Sequence, residues 1–347
     1  MLLGLHTMSW FAQRVEAYER MRFDQEPNRA RLPFSWGLEH IGGPAEASED
    51  ESRAYLDKFV AETMARSEKW YFAGEAPDYS FDRENVLTFT SAIESPWAQN
   101  NRVRAQYFPA QRGSAAVIVL AQWNSRWEEQ QAVCRYLNFL GLTAVKLSLP
   151  YHDRRAIPGH PRADHLVGPS IGLTLQANRQ AVLDARRTLR WLEGQGHERL
   201  GILGTSVGSC LAFLTLVHEP ALRAGAFLHV STYFADVVAR GLTTSNVWEC
   251  LAPHLSLDQL RRYWSPISPY PFIPRLYGTS RRVLTITARY DPTFPFDLTT
   301  EFLDAVRQDG ITPETLTLPC GHYSLGVAPF KYAVGYRFGM FLRKALG

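Results

Sequence analysis

The chain has 347 residues, of which 46% are hydrophobic and 20% charged, and its formal net charge is +3. This is too apolar for disorder, enough for one large domain with additions, and too weakly basic, with no dense Lys/Arg cluster among aromatics, for a nucleic-acid groove. No apolar run is long enough to span a bilayer, and MLLGLHTMSW at the N-terminus lacks the basic start, sustained apolar stretch and cleavage site of a secretory leader.

Residues 1 to about 80 read as an N-terminal helical extension. Its helix-like segments cover about 8 to 22 and 50 to 73, and Pro33, Gly37, Gly42, Gly43 and Pro44 break the stretch between them. Ser48, Glu49 and Asp50 suit the start of the second helix, on which Tyr55, Phe59 and Met64 share a side. From about residue 81 to 347 the pattern is that of a main domain. Apolar runs at about 86 to 93, 103 to 110 and 115 to 121 read as three successive strands. Helices and strands then alternate: a helix at about 127 to 140, strand 143 to 149, helix 173 to 194, strand 199 to 204, helix 207 to 218 and strand 224 to 231. A Pro- and aromatic-rich stretch from about 232 to 280 reads as an insertion. Strand 282 to 288, a helix at about 296 to 309, strand 314 to 319 and a helix at about 328 to 345 complete the series. Such alternation predicts parallel strands joined by right-handed crossovers.

The sharpest motif is Gly204-Thr205-Ser206-Val207-Gly208, placed between an apolar strand and an apolar helix. A serine on so tight a turn has strained backbone angles, and small residues two before and two after it let strand and helix approach. The turn aims the hydroxyl at the positive end of a helix, where the Val207 N–H is placed to stabilise an oxyanion. Asp291 follows a late strand in Tyr290-Asp291-Pro292, with Asp297 and Asp236 as alternative acids. His322 lies after the last strand in Cys320-Gly321-His322-Tyr323-Ser324. Of the other histidines, His229 falls inside a predicted strand, His218 at a helix end and His254 in the insertion.

From about residue 85 to the end, these motifs resemble the α/β-hydrolase superfamily, whose chain order of nucleophile, acid and histidine they follow. The resemblance implies an α/β fold with a mostly parallel central sheet flanked by helices, and a lid-like insertion at about 232 to 280. It further implies a triad of Ser206, Asp291 and His322, in which His322 is the general base and Asp291 fixes its tautomer. The second oxyanion donor is expected in Ala121-Gln122-Trp123-Asn124, which departs from the His-Gly pair of many relatives. The backbone N–H of Trp123 is favoured there, that of Gln122 being the alternative, and the Trp123 ring also suits the wall of an acyl pocket.

The loop carrying Tyr151, His152, Arg154 and Arg155 is expected at the carboxyl ends of the strands, where it would touch substrate. A guanidinium fork there suits a carboxylate or phosphate, but for Arg154 and Arg155 a solvated or structurally paired role is the preferred reading. Cys320 and His322 lack further ligands at useful spacing, so no metal and no cofactor is predicted. Cys134, Cys210, Cys250 and Cys320 have no metal-ligand spacing, which predicts free thiols and a cytoplasmic location, with Cys210 packed in the core.

The layout is similar to the dienelactone-hydrolase and acyl-peptidase side of the superfamily. The expected function is serine hydrolysis of a small-molecule carboxylic ester, with peptidase, amidase or thioesterase action on the same triad as alternatives. A non-catalytic binding protein of the same fold is the alternative from another class. No nucleic-acid partner, integral membrane segment or particular oligomeric state is predicted.

Overall fold

The computed structural model describes residues 10–26, 29, 31–111, 113–160 and 162–347. The chain opens with α1 (Trp10–Asp24), α2 (Glu49–Ala65) and the short α3 (Ser67–Trp70). Ser48 caps α2 reciprocally: its side chain accepts from the Glu51 N–H, and the Glu51 carboxylate accepts from the Ser48 N–H at 2.8 Å. The first helix was expected from about residue 8, which lies outside the described residues. The second was expected to run unbroken to 73, but it breaks at Arg66, whose backbone (φ −128°, ψ 38°) leaves the helical region.

The strands are β1 (Ser80–Phe81), β2 (Val86–Thr90), β3 (Arg102–Phe108) and β4 (Ala115–Leu120), then β5 (Thr143–Leu147) after α4 (Gln131–Phe139). Helix α4 starts four residues later than the expected 127, because Gln130 stands in the left-handed region at φ 64°. The chain continues through α5 (Ile171–Gly194), β6 (Arg199–Thr205), α6 (Val207–His218) and β7 (Leu222–Leu228). The insertion carries α7 (Phe234–Arg240), α8 (Ser245–Leu251), α9 (Leu257–Tyr263) and 3₁₀ turns at Ser265–Ile267 and Tyr270–Leu276. It ends at β8 (Arg282–Ala288), which α10 (Phe296–Gln308), β9 (Glu314–Leu318) and α11 (Phe330–Leu346) follow. No helix among the described residues is long and apolar enough to cross a membrane.

All nine strands form one sheet in the order β1-β2-β3-β5-β4-β6-β7-β8-β9. The β1–β2, β2–β3 and β3–β5 pairs are antiparallel, and every pair from β5 onward is parallel. The short β1, which the sequence pattern does not signal, falls across residue 80, where the helical extension was expected to end. Alternation of side chains splits β4 between two apolar layers. Ala115, Val117 and Val119 join Leu137 of α4 and Phe338, Phe341 and Leu342 of α11. Ala116, Ile118 and Leu120 join α5, α6 and the insertion. Strand order reverses at β4, which has β5 on one side and β6 on the other, and beyond the carboxyl ends of such strands a crevice opens.

Candidate active site

Ser206 stands between β6 and α6 with φ 57° and ψ −127°, a strained conformation for a side chain with a Cβ. The surroundings hold it there. Its N–H donates to Leu228 O at 2.8 Å, and Ser209 Oγ donates to its carbonyl at 2.6 Å. Strand and helix pass so closely that a Cβ on Gly204 would overlap the Gly208 carbonyl, and one on Gly208 would overlap the carbonyls of Leu120 and Ala121. Glycine is required at both positions by contact, since neither has a positive φ.

The turn opens into a cleft lined by Ser206, Val207, Trp123, Val167, Cys210 and Phe294, and by Phe234, Val237, Val238, Thr243 and Thr244 of the insertion. Its free volume is about 40 Å³, far below the 300–1,000 Å³ of a drug-sized site. No intramolecular hydrogen bond among the described residues engages the N–H of Val207, Gln122 or Trp123. Of the two expected second donors, Trp123 lines the cleft and Gln122 does not; the Gln122 side chain bonds to Glu129 and Gln130. The Trp123 indole is fixed by donating to Ala163 O at 2.9 Å, with the Arg162 guanidinium over its ring. Cys210 borders this cleft as well as the apolar cluster of Val237, Phe294 and Leu298, and burial pushes its thiol up to about 11.

Asp291 lies in the loop after β8. Its Oδ1 accepts from the N–H groups of Thr293 and Phe294 at 2.7 and 2.8 Å, and its Oδ2 faces His322 Nδ1 at 2.9 Å. A second imidazole shares that oxygen: His229 Nδ1 lies 2.7 Å from Oδ2, out of line for a hydrogen bond. His229 was expected inside a strand. β7 instead ends at Leu228, and a φ of 66° turns His229 toward the site, with its ring centroid 4.4 Å from that of His322. The ligand atoms of His229, Asp291 and His322 lie within 4.8 Å of one another, the residue types of a metal site, although here one carboxylate oxygen is shared by two ring nitrogens.

Burial by itself would raise the Asp291 carboxyl, but His322 and His229 outweigh it and hold the group well below the usual carboxylate range. Burial would lower the His322 imidazole, yet Asp291 reverses this and the net shift is upward. His229, fully desolvated and beside a second imidazole, is held below its ordinary value. The alternative acids are committed elsewhere: Asp236 is paired with Arg261 through both oxygens, and Asp297 with Arg240 at the surface.

Two links connect the dyad with Ser206. Phe294 lines the serine's cleft and stacks on His322 at 5.6 Å between centroids and 10° between planes. Leu228 accepts from Ser206, and the next residue is His229. The Ser206 hydroxyl makes no hydrogen bond to either imidazole in this structure.

The four residues expected to touch substrate do not reach this cleft. Arg155 is wholly buried and donates to Asp184, Ser148 O and Asn100 O, a structural pairing of the kind the sequence reading preferred over a substrate contact. Arg154 is exposed and lies over the Trp127 ring. Tyr151 is buried with its N–H on Asn100 Oδ1. Burial pushes the His152 imidazole down to about 4, and the neutral ring accepts from the Asn124 N–H at 2.9 Å. Of the four, His152 thus holds the residue that follows Trp123.

Sequence reasoning also missed Glu19 of α1. Its side chain is fully buried against the His322 loop, where it accepts from Tyr323 N, Ser324 N and Ser324 Oγ. Nothing in the spacing of α1 marks this glutamate, since its partners are about 300 residues away in the chain.

No protein-family model and no curated protein matches this chain. Solved structures do. An acylaminoacyl peptidase of Pyrococcus horikoshii matches at TM-score 0.56 and 17% identity over 76% of this chain, which spans only 41% of the peptidase. An esterase of Pyrococcus furiosus matches at 0.55 and 16%, covering 78% of this chain and 92% of its own. Acetyl xylan esterase 1 of Thermoanaerobacterium sp. JW/SL YS485 matches at 0.57 and 15%, covering 82% and 93%. With this likeness, the reversal of strand order at β4 and the strained serine after β6, the chain has the α/β-hydrolase fold.

Proposed function

We propose that the chain is a serine hydrolase that cleaves small carboxylic esters through an acyl-enzyme. The observation that carries this reading is a serine held at φ 57° in a cleft with two unengaged N–H groups, where the lining residue Phe294 stacks on an imidazole already oriented by a buried carboxylate. In this mechanism Ser206 Oγ attacks the ester carbonyl carbon while its proton passes to His322 Nε2. The oxyanion accepts from the N–H groups of Val207 and Trp123. Collapse breaks the ester C–O bond, and His322 returns the proton to the departing alkoxide. Water, deprotonated by His322, then releases the acid and restores Ser206. The Ser206 to His322 contact closes when substrate binds, as catalytic hydrogen bonds often do.

Helices of the insertion wall the cleft and act as its lid, and the segment before residue 80 is an accessory element that packs on this domain. The apolar lining and the small free volume favour a short acyl group. Peptide-bond cleavage on the same triad is the second reading, favoured by the likeness to an acylaminoacyl peptidase.

A fluorophosphonate probe tests the class, and p-nitrophenyl esters of graded length against peptide anilides test the reaction. The folded wild type should be labelled and Ser206→Ala should not, with the acetate ester turned over faster than longer esters or any anilide. Faster anilide turnover would overturn the ester reading. An unlabelled, folded wild type would overturn the hydrolase and leave a binding protein of the same fold.

A further inference from the structure

The N-terminal helix sends one acidic side chain into the loop that carries His322. Glu19 is fully buried. Its Oε2 accepts from Tyr323 N at 2.7 Å, and its Oε1 from Ser324 N at 3.0 Å and Ser324 Oγ at 2.8 Å. Ser324 Oγ in turn accepts from Gly321 N at 2.7 Å. The residues on both sides of His322 are thus tied, directly or through one hydroxyl, to a single carboxylate on another element. The approach is so close that a Cβ on Gly321 would come within 2.5 Å of the Glu19 side chain, which accounts for glycine there. Arg29 of the same N-terminal segment bonds to the Tyr323 hydroxyl and to Thr243 O, and Thr243 lines the cleft.

We infer that Glu19 is a positioning residue, whose carboxylate clamps the His322 loop so that the imidazole stays in register with Asp291 and Ser206. The inference rests on the hydrolase reading above. It makes the N-terminal segment a working part of the site, because the loop's own N–H groups find their acceptor on α1. A buried carboxylate meeting three donors forms strong, directional hydrogen bonds, and an imidazole displaced by about 1 Å loses much of its catalytic reach. The clamp also carries charge. Burial lowers the His322 imidazole, Asp291 raises it, and Glu19 and Glu26 add to the rise. His229 and the Tyr323 phenol also face the ring, at 4.4 and 6.0 Å between centroids.

Glu19→Gln keeps the shape but turns an amide N–H₂ toward N–H donors and removes the charge. It should lower kcat about 10- to 100-fold with KM within about twofold, and move the acid limb of the kcat/KM profile to lower pH. Ser324→Ala spares the two backbone contacts to Glu19 but cuts the tie to Gly321, and should lower kcat about 3- to 10-fold. Wild-type kcat and an unmoved acid limb in folded Glu19→Gln would overturn the inference. So would a loss of kcat with an unmoved limb and a lowered Tm, the mark of a merely structural residue. Should Glu19→Gln not fold, an unchanged Ser324→Ala overturns it. Fluorophosphonate labelling of the wild type separates the failures: an unlabelled wild type sinks the hydrolase and the clamp together, whereas a labelled wild type with unchanged variants sinks the clamp alone.

Discussion

Replacing Asp291 by asparagine tests how the carboxylate serves His322, and the structure fixes which way the new amide must face. Oδ1 is held by the N–H groups of Thr293 and Phe294 at 2.7 and 2.8 Å, so in Asp291→Asn the carbonyl oxygen must take that place. A flipped amide would set its own donors against both, at about 1–3 kcal/mol for each unsatisfied group. The NH₂ therefore stands where Oδ2 meets His322 Nδ1 at 2.9 Å in the native protein. It presents a donor to a nitrogen that normally donates. The imidazole answers by carrying its proton on Nε2, the atom that must accept from Ser206, and the wrong tautomer lowers kcat about 10⁴-fold, roughly 5.4 kcal/mol of transition-state stabilisation.

The pH profile provides the second readout. Burial lowers the His322 imidazole and Asp291 more than offsets this, so the net shift is upward. A base must be neutral to act, which places the wild-type acid limb of kcat/KM above about 6.5, the ordinary imidazole value. With a neutral asparagine, burial still opposes protonation and the main upward push is gone, Glu19 and Glu26 keeping only the smaller part of it, so the limb moves down. Steady-state hydrolysis of p-nitrophenyl acetate over about pH 5 to 9 measures both effects. A folded Asp291→Asn that keeps more than about one-tenth of wild-type kcat, or whose acid limb stays in place, refutes the assigned role of the carboxylate.

Two further substitutions probe the scaffold. Gly208→Ala pushes a methyl into the carbonyls of Leu120 and Ala121. It should cost about 1–3 kcal/mol of stability by denaturant unfolding, with loss of Ser206 labelling as β4 and α6 are forced apart; an unchanged midpoint contradicts the contact argument. Arg155→Ala strands the buried Asp184 carboxylate, and should destabilise by about 3–5 kcal/mol while leaving the KM of any variant that folds near wild type. A raised KM at native stability would restore Arg155 to the substrate site.

The fold was legible because its signals are local and periodic. The run Ala115–Leu120 is apolar throughout and the helix Val207–His218 mostly so, as suits elements buried between layers, and strand Arg282–Ala288 reads directly from its alternation with helices. Ser206 was legible for a similar reason. The glycines flanking it at two-residue spacing record a backbone contact that any strand-to-helix turn of this tightness needs. Boundaries were less so: α2 breaks at Arg66 and α4 starts late at Gln131, where single backbone angles override the hydrophobic pattern.

By itself the sequence determined the layers, the order of the elements and the candidates Ser206, Asp291 and His322, since each follows from residues near it in the chain. Only the tertiary structure decided that Arg155 turns inward to Asp184, that His229 bends past the end of β7 onto Asp291, and that Glu19 reaches the loop of His322. The physical reason is that a charged side chain's role is set by the partner that compensates its burial. Those partners stand 29, 62 and about 300 residues away, beyond anything periodicity can report.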